Sequence, residues 1–167
     1  MKDKNVIYIL TNPSFPQLVK IGYADDVIER VRSLNSNPGL PYSFRIYATY
    51  EVNDRLEDLK IHRIIDKLNP TLRCQEIING RSRVREFFTM SAETAYQIFE
   101  AMAEISGTMN KLHLWKATPE EMAEEENAEE VLNLPMNRHH FKDITFKSSL
   151  TGKKYYSRTK QDGSLGI

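Results

Sequence analysis

The opening segment constrains this chain most: Val6-Ile7-Tyr8 in one apolar run, Val19-Lys20-Ile21-Gly22 in a second, and Arg30 in the charged stretch that follows. Val6 to Leu10 and Leu18 to Tyr23 read as paired strands, because short runs of β-branched and aromatic residues bounded by turn residues are strand patterns. Between them, Thr11-Asn12-Pro13-Ser14-Phe15-Pro16 is turn chemistry, since two prolines and an asparagine break a regular ladder. Asp25 or Asp26 can cap a helix running to about Leu34, with Val27, Val31 and Leu34 on one face. A hairpin feeding directly into a helix can aim Tyr8, Lys20 and Arg30 at one surface. A planar guanidinium, a point-charge ammonium and a phenol that can hand on a proton together suit a phosphodiester.

Further along, Phe44 to Val52 predicts a third strand rich in aromatic and β-branched residues. Asp54 to about Leu68 predicts a second helix, stopped by Asn69-Pro70, with Ile61, Ile64, Ile65 and Leu68 on its apolar face. Residues 71–83 read as a variable loop around Asn79-Gly80, and Val84 to Phe88 as a short strand. Ser91 caps a third helix that turns Ala95, Ile98, Phe99 and Met102 inward and ends near Gly107. Thr118-Pro119-Glu120-Glu121 opens a fourth with a capping-box pattern and proline at its first position. Strand-like pieces at Phe141 to Phe146 and Lys154 to Thr159 follow, then a turn at Asp162-Gly163 with so short a second arm that it suggests a shortened protein.

The formal net charge of zero conceals a division. Residues 118–135 carry seven acids and no Lys or Arg, whereas residues 136–167 carry seven bases against two acids. The organisation expected is therefore a domain at 1–112, an acidic helix at 118–134 and a basic, β-leaning tail at 136–167. Met122, Ala123, Val131 and Leu132 give that helix a thin apolar side. Cys74 is the only cysteine, so an internal disulfide and a cysteine-based zinc site are excluded and a reducing compartment, by default the cytoplasm, is expected. No apolar run is long enough for a membrane helix. Oligomeric state has no signal here.

Val-Ile-Tyr, then Lys-Ile-Gly, then Arg30, with Asp58 to His62 and Arg85-Glu86-Phe87-Phe88 further on, resembles the GIY-YIG nuclease superfamily, in particular its phage- and bacterium-borne branch, over roughly residues 5–106. The resemblance implies an α+β fold with a small three-stranded antiparallel sheet flanked by helices. It implies hydrolysis of DNA phosphodiester bonds with one divalent ion, Mg²⁺ or Mn²⁺. By the same resemblance Tyr8 accepts a proton from the attacking water, Arg30 stabilises charge on the transition state, and a carboxylate on the second helix holds the metal. Val6 stands where the namesake pattern has glycine, and Lys20 where it has its second tyrosine. Lysine can bond the water or a phosphate but supplies no phenol.

The branch that the chain resembles has a Glu-x-x-x-His pattern, and counting back four from His62 by that resemblance reaches Asp58, not a glutamate, on a shared helix face. Glu57 is the alternative metal ligand, and Asp58 is favoured. Glu86 is a further carboxylate candidate, against a salt bridge to Arg85 or Arg83. His62 is either a proton-shuttling group or a half-buried structural histidine. Arg81, Arg83 and Arg85 alternate, which in an extended strand suits phosphate contacts. Two other readings stay open: a nucleic-acid-binding module of the same fold with a weakened centre, and a regulatory protein acting through its acidic helix.

Overall fold

A computed structural model describes the backbone of residues 4–53, 56–68, 73–78, 81–137, 145–147 and 154–156. Within these, the side chains of 56–58, 68, 73–78, 81–85 and the last two segments lie outside the description. The chain runs β1 (Lys4–Thr11), β2 (Leu18–Asp26), α1 (Val27–Asn35), β3 (Arg45–Glu51), α2 (Leu56–Leu68), β4 (Arg73–Ile78), β5 (Arg81–Thr89), α3 (Ala92–Ser106), a 3-10 turn (Met109–Lys111), β6 (Leu112–Leu114), α4 (Pro119–Leu132), β7 (Thr145–Lys147) and β8 (Lys154–Tyr156). The fold is α+β. β1 to β6 form one sheet in the order β4-β5-β2-β1-β3-β6, and β7 pairs with β8. Every pairing is antiparallel.

The sheet thus has six strands rather than three. The expected trio, β2-β1-β3, is its centre. The span read as a loop instead supplies β4 and the start of β5, paired from Ile78↔Arg81 to Arg73↔Phe88. The signal was present, since Asn-Gly set between two β-rich runs favours a hairpin over an open loop. On the other edge, β6 pairs with β3 through Leu114↔Ala48 and Leu112↔Tyr50. The turn at Asp162-Gly163 lies outside the described residues.

Local chemistry explains the helices. Asp26 caps α1 by accepting from the Glu29 amide at 3.1 Å, and Ser91 caps α3 by accepting from the Thr94 amide at 3.1 Å. Gly107 closes α3 at φ 67°, a left-handed position glycine takes without strain. Thr118 and Glu121 form the complete capping box of α4, with proline in its first turn.

Alternation along β1 splits the core in two. Ile7 and Ile9, with Val19, Ile21 and Phe88, pack against Ile61 and Ile65 of α2 and Ala92, Ala95, Tyr96, Phe99 and Ala103 of α3. Val6, Tyr8 and Leu10, with Ala24, face Val27 of α1, and Val31 and Leu34 pack at the margin. Ile64, expected on the buried face of α2, is 39 % exposed; only two of the three described isoleucines fit beneath the helix.

α4 docks by charge rather than by the apolar side expected of it. Val131 and Leu132 are exposed, whereas Glu125 is 1 % exposed and Ala128 is buried. Arg45, at the start of β3 and itself buried, donates to Glu124 Oε2 at 2.6 Å and to the Glu121 carbonyl at 2.8 Å, and lies 3.6 Å from Glu125 Oε1. Beyond the helix, the Asn137 side chain accepts from the Ala92 amide at 2.8 Å and donates to the Pro16 carbonyl at 3.2 Å, tying α3 to the β1–β2 loop. Among the described residues no helix is long and apolar enough to cross a membrane.

Candidate active site

Tyr8 and Gly22 face each other in the β1–β2 ladder. Both lie on the α1 side of the sheet, and the tyrosine ring lies across the glycine. A Cβ added to residue 22 would stand 2.6 Å from the Tyr8 hydroxyl oxygen and 2.8 Å from Glu86 Oε2. The second glycine of the opening pattern is therefore a matter of space: only a hydrogen fits where the phenol and the carboxylate converge.

Lys20 lies one alternation earlier on the same face of β2. Its Nζ is 3.1 Å from Glu86 Oε2 and 4.9 Å from the centre of the Phe87 ring. The lysine is buried while the carboxylate keeps partial access to water.

Glu86 reaches this face because β5 is irregular there. The β2–β5 ladder runs Leu18↔Thr89, Val19↔Phe88, Lys20↔Phe87. The β4–β5 register shifts at the same place, two steps from Arg73 to Gln75 answering four from Phe88 to Val84. Strict alternation would send Glu86 and Phe87 to opposite faces. A bulge re-aims side chains, and here Glu86 meets Lys20 while Phe87 packs in the α1-side core.

Arg30, one turn into α1, completes the group. Its pKa is held above the ordinary arginine value, first by its hydrogen bond to the Tyr8 hydroxyl and then by the charges of Tyr8 and Glu86, against the desolvation that lowers it. Tyr8, Lys20, Arg30 and Glu86, drawn from four elements, thus form one cluster in which two cations flank a phenol and a carboxylate. The sequence offered Glu86 as a carboxylate candidate or as a partner of Arg85 or Arg83; its pairing with Lys20 comes from the bulge in β5, which depends on pairing with β4.

His62 sits on the other side of the sheet. Buried on α2, its Nε2 donates to the Ile21 carbonyl at 3.0 Å, and its ring meets Phe88 edge-on at 5.3 Å. A carbonyl can only accept, so Nε2 carries the proton. The acceptor is the residue between Lys20 and Gly22. Glu57 and Asp58 belong to the first turn of α2, and Arg81, Arg83 and Arg85 to β5; the side chains of all five lie outside the described residues. Arg45, which holds α4, was missed, because an arginine opening a strand reads as a solvent-facing residue.

Among the described residues no three His, Cys, Asp or Glu side chains gather. Of the described residues, Glu86 offers a carboxylate beside Tyr8 and Arg30. That suffices for Mg²⁺, a hard cation that keeps several waters and uses one or two carboxylates plus substrate phosphate.

A six-stranded antiparallel sheet carrying a Tyr-Lys-Arg-Glu cluster between β1, β2, β5 and α1 defines a small α+β domain in which two cations, a phenol and a carboxylate meet. The T5orf172 domain model matches residues 5–103, a span that includes the whole cluster, and the chain belongs to that family. This corrects the GIY-YIG assignment: the family that matches is a different one, and the two departures at Val6 and Lys20 fall within the tripeptides on which the resemblance rested. Family membership supports a nucleic-acid-related role. No curated protein and no solved structure matches the chain.

Proposed function

We propose that the protein is a metal-dependent endonuclease that hydrolyses DNA phosphodiester bonds at the Tyr8–Lys20–Arg30–Glu86 cluster. The observation that carries this reading is the convergence of the Tyr8 hydroxyl and Glu86 Oε2 over Gly22, with Lys20 Nζ 3.1 Å from that same carboxylate oxygen and the Arg30 guanidinium beside Tyr8. An arginine beside a phenol, in a cluster that also holds a lysine and a carboxylate, has the parts of phosphoryl-transfer chemistry.

In this reading a DNA phosphate displaces Glu86 from Lys20 and takes the lysine as its counter-charge. Tyr8, as the anion, takes the proton of the attacking water onto its phenolic oxygen, where the charge it loses had faced Arg30. Arg30 then bears the negative charge that grows on the phosphate oxygens as the new P–O bond forms and the old one breaks. His62 is a positioning residue: through the Ile21 carbonyl it fixes β2 between Lys20 and Gly22. Glu86 would hold Mg²⁺ or Mn²⁺, which when bound polarises the phosphate and stabilises the leaving oxygen; α2, which carries Asp58 and Glu57, packs on the opposite side of the sheet. Arg81, Arg83 and Arg85, which alternate in the sequence of β5, would add phosphate contacts.

The test is incubation of the full chain with supercoiled and linear DNA, with Mg²⁺ or Mn²⁺ against EDTA. Cleavage that EDTA abolishes supports the proposal. Absence of cleavage with either ion at any salt concentration overturns it.

A further inference from the structure

The β1–β2 loop sets an aromatic ring at the edge of the cluster. Phe15 is 36 % exposed. Its ring meets Phe87 edge-on at 6.2 Å and lies 6.4 Å from Phe44, and those two rings are 6.3 Å apart. Phe87 is also the ring beneath the Lys20 ammonium. One exposed phenylalanine on a surface is ordinary. What sets Phe15 apart is the rigidity of the loop that presents it. The Phe15 amide donates to the Asn12 carbonyl at 2.9 Å, and the Leu18 amide to the Phe15 carbonyl at 3.0 Å. The Ser14 amide donates to Asn12 Oδ1 at 2.8 Å, and Asn12 Nδ2 donates to the Tyr42 carbonyl at 2.9 Å. Asn137 grips the loop from outside at the Pro16 carbonyl.

We infer that Phe15 is a stacking platform for an unpaired nucleobase, and that the preferred substrate is single-stranded, flapped or frayed DNA rather than intact duplex. The inference rests on the reading of Lys20 and Arg30 as a phosphate site. A nucleotide presents an anion and an aromatic face together. The cluster presents two cations with an aromatic edge beside them, which is the complement of that pair. Within a duplex the base faces are covered by their neighbours, and only edges are open. A protein ring in this position therefore stacks only on a base that has left the helix or ends it. Because the loop is pinned in advance, little ordering cost is charged against the contact.

The full chain, kept in EDTA so that no strand is cut, is titrated against one oligodeoxynucleotide carrying 2-aminopurine, first single-stranded and then as a blunt duplex. The wild type is expected to quench the fluorophore and to bind the single strand more tightly. Phe15→Leu retains an apolar side chain against Phe44 and Phe87 but has no ring. It is expected to lose about tenfold in single-strand affinity, together with the quenching, while duplex affinity stays within about twofold. Phe15→Trp is expected to retain both. If Phe15→Leu binds the single strand as the wild type does, the platform is wrong and the phosphate site stands. If the wild type binds neither probe, the phosphate site falls and the platform with it. Should Phe15→Leu fail to fold, Phe15→Trp decides: weaker single-strand binding than wild type overturns the proposal.

Discussion

The Tyr8 hydroxyl and the Cα of Gly22 are packed so closely that a methyl group at residue 22 would stand 2.6 Å from the phenolic oxygen. The neighbours on that side are not yielding ones. Tyr8 has no solvent exposure and is locked in the α1-side core, and Glu86 is held by Lys20. Gly22→Ala should therefore displace the ring or the carboxylate. Overpacking of this kind costs about 1–3 kcal/mol, measurable by denaturant unfolding, and nuclease activity should fall with it. A Gly22→Ala protein as stable and as active as the wild type would show that the contact is looser than described.

Lys20 is the cation most enclosed by the site, and its ion pair with Glu86 is the one a phosphate must replace. Lys20→Gln should weaken DNA binding across all sequences. It should also reduce the slope of log affinity against log salt by about one. An unchanged slope would mean that Lys20 never meets a phosphate.

Arg30 gives a prediction about pH. A folded-state pKa raised above its unfolded value contributes stability that is fully present below the unfolded value and is lost only as pH rises through the folded one. For Arg30 both values lie beyond the alkaline end of ordinary handling, since its pKa is raised from an already high starting point. The melting-temperature difference between wild type and Arg30→Ala should therefore be the same at about pH 6 and about pH 9. A difference that shrinks toward pH 9 would assign the stabilisation to some other titrating group.

α4 is fastened by Arg45, whose side chain and that of Glu125 are both 1 % exposed. Removing one member of such a pair leaves the other buried and uncompensated, at about 3–5 kcal/mol. Arg45→Met should lower thermal stability by on the order of 10 °C for a chain of this size. Replacing both Arg45 and Glu125 by apolar residues should recover much of that loss. If the single variant melts like the wild type, α4 does not depend on this contact.

The sequence made the central hairpin, the caps at Asp26, Ser91 and Thr118, and the grouping of Tyr8, Lys20 and Arg30 legible, because each depends on residues close together in the chain. What escaped it depends on distant pairing. Glu86 reaches Lys20 through a bulge set by the β4–β5 register, and no periodicity within β5 encodes that. The burial of Glu125 against Arg45 joins residues far apart in sequence, and a run of glutamates viewed alone reads as a solvated face. His62 had the right neighbours in sequence to suggest a shared face with Asp58. Which side of the sheet that face meets is decided only when α2 packs against Ile21 and Phe88. The β4–β5 hairpin is a different kind of miss, since its Asn-Gly signal was local and available.

The central claim is that the Tyr8 hydroxyl does chemistry at a phosphate, and Tyr8→Phe tests it most directly. The ring and its packing remain, and only the oxygen beside Arg30 is lost. Cleavage rates of wild type and Tyr8→Phe are compared on the same DNA with Mg²⁺, alongside unfolding curves and DNA affinity in EDTA. The account predicts near-wild-type stability and affinity with a rate reduced by about 10²–10⁴-fold. A Tyr8→Phe protein that is folded, binds DNA and cuts at the wild-type rate would contradict it.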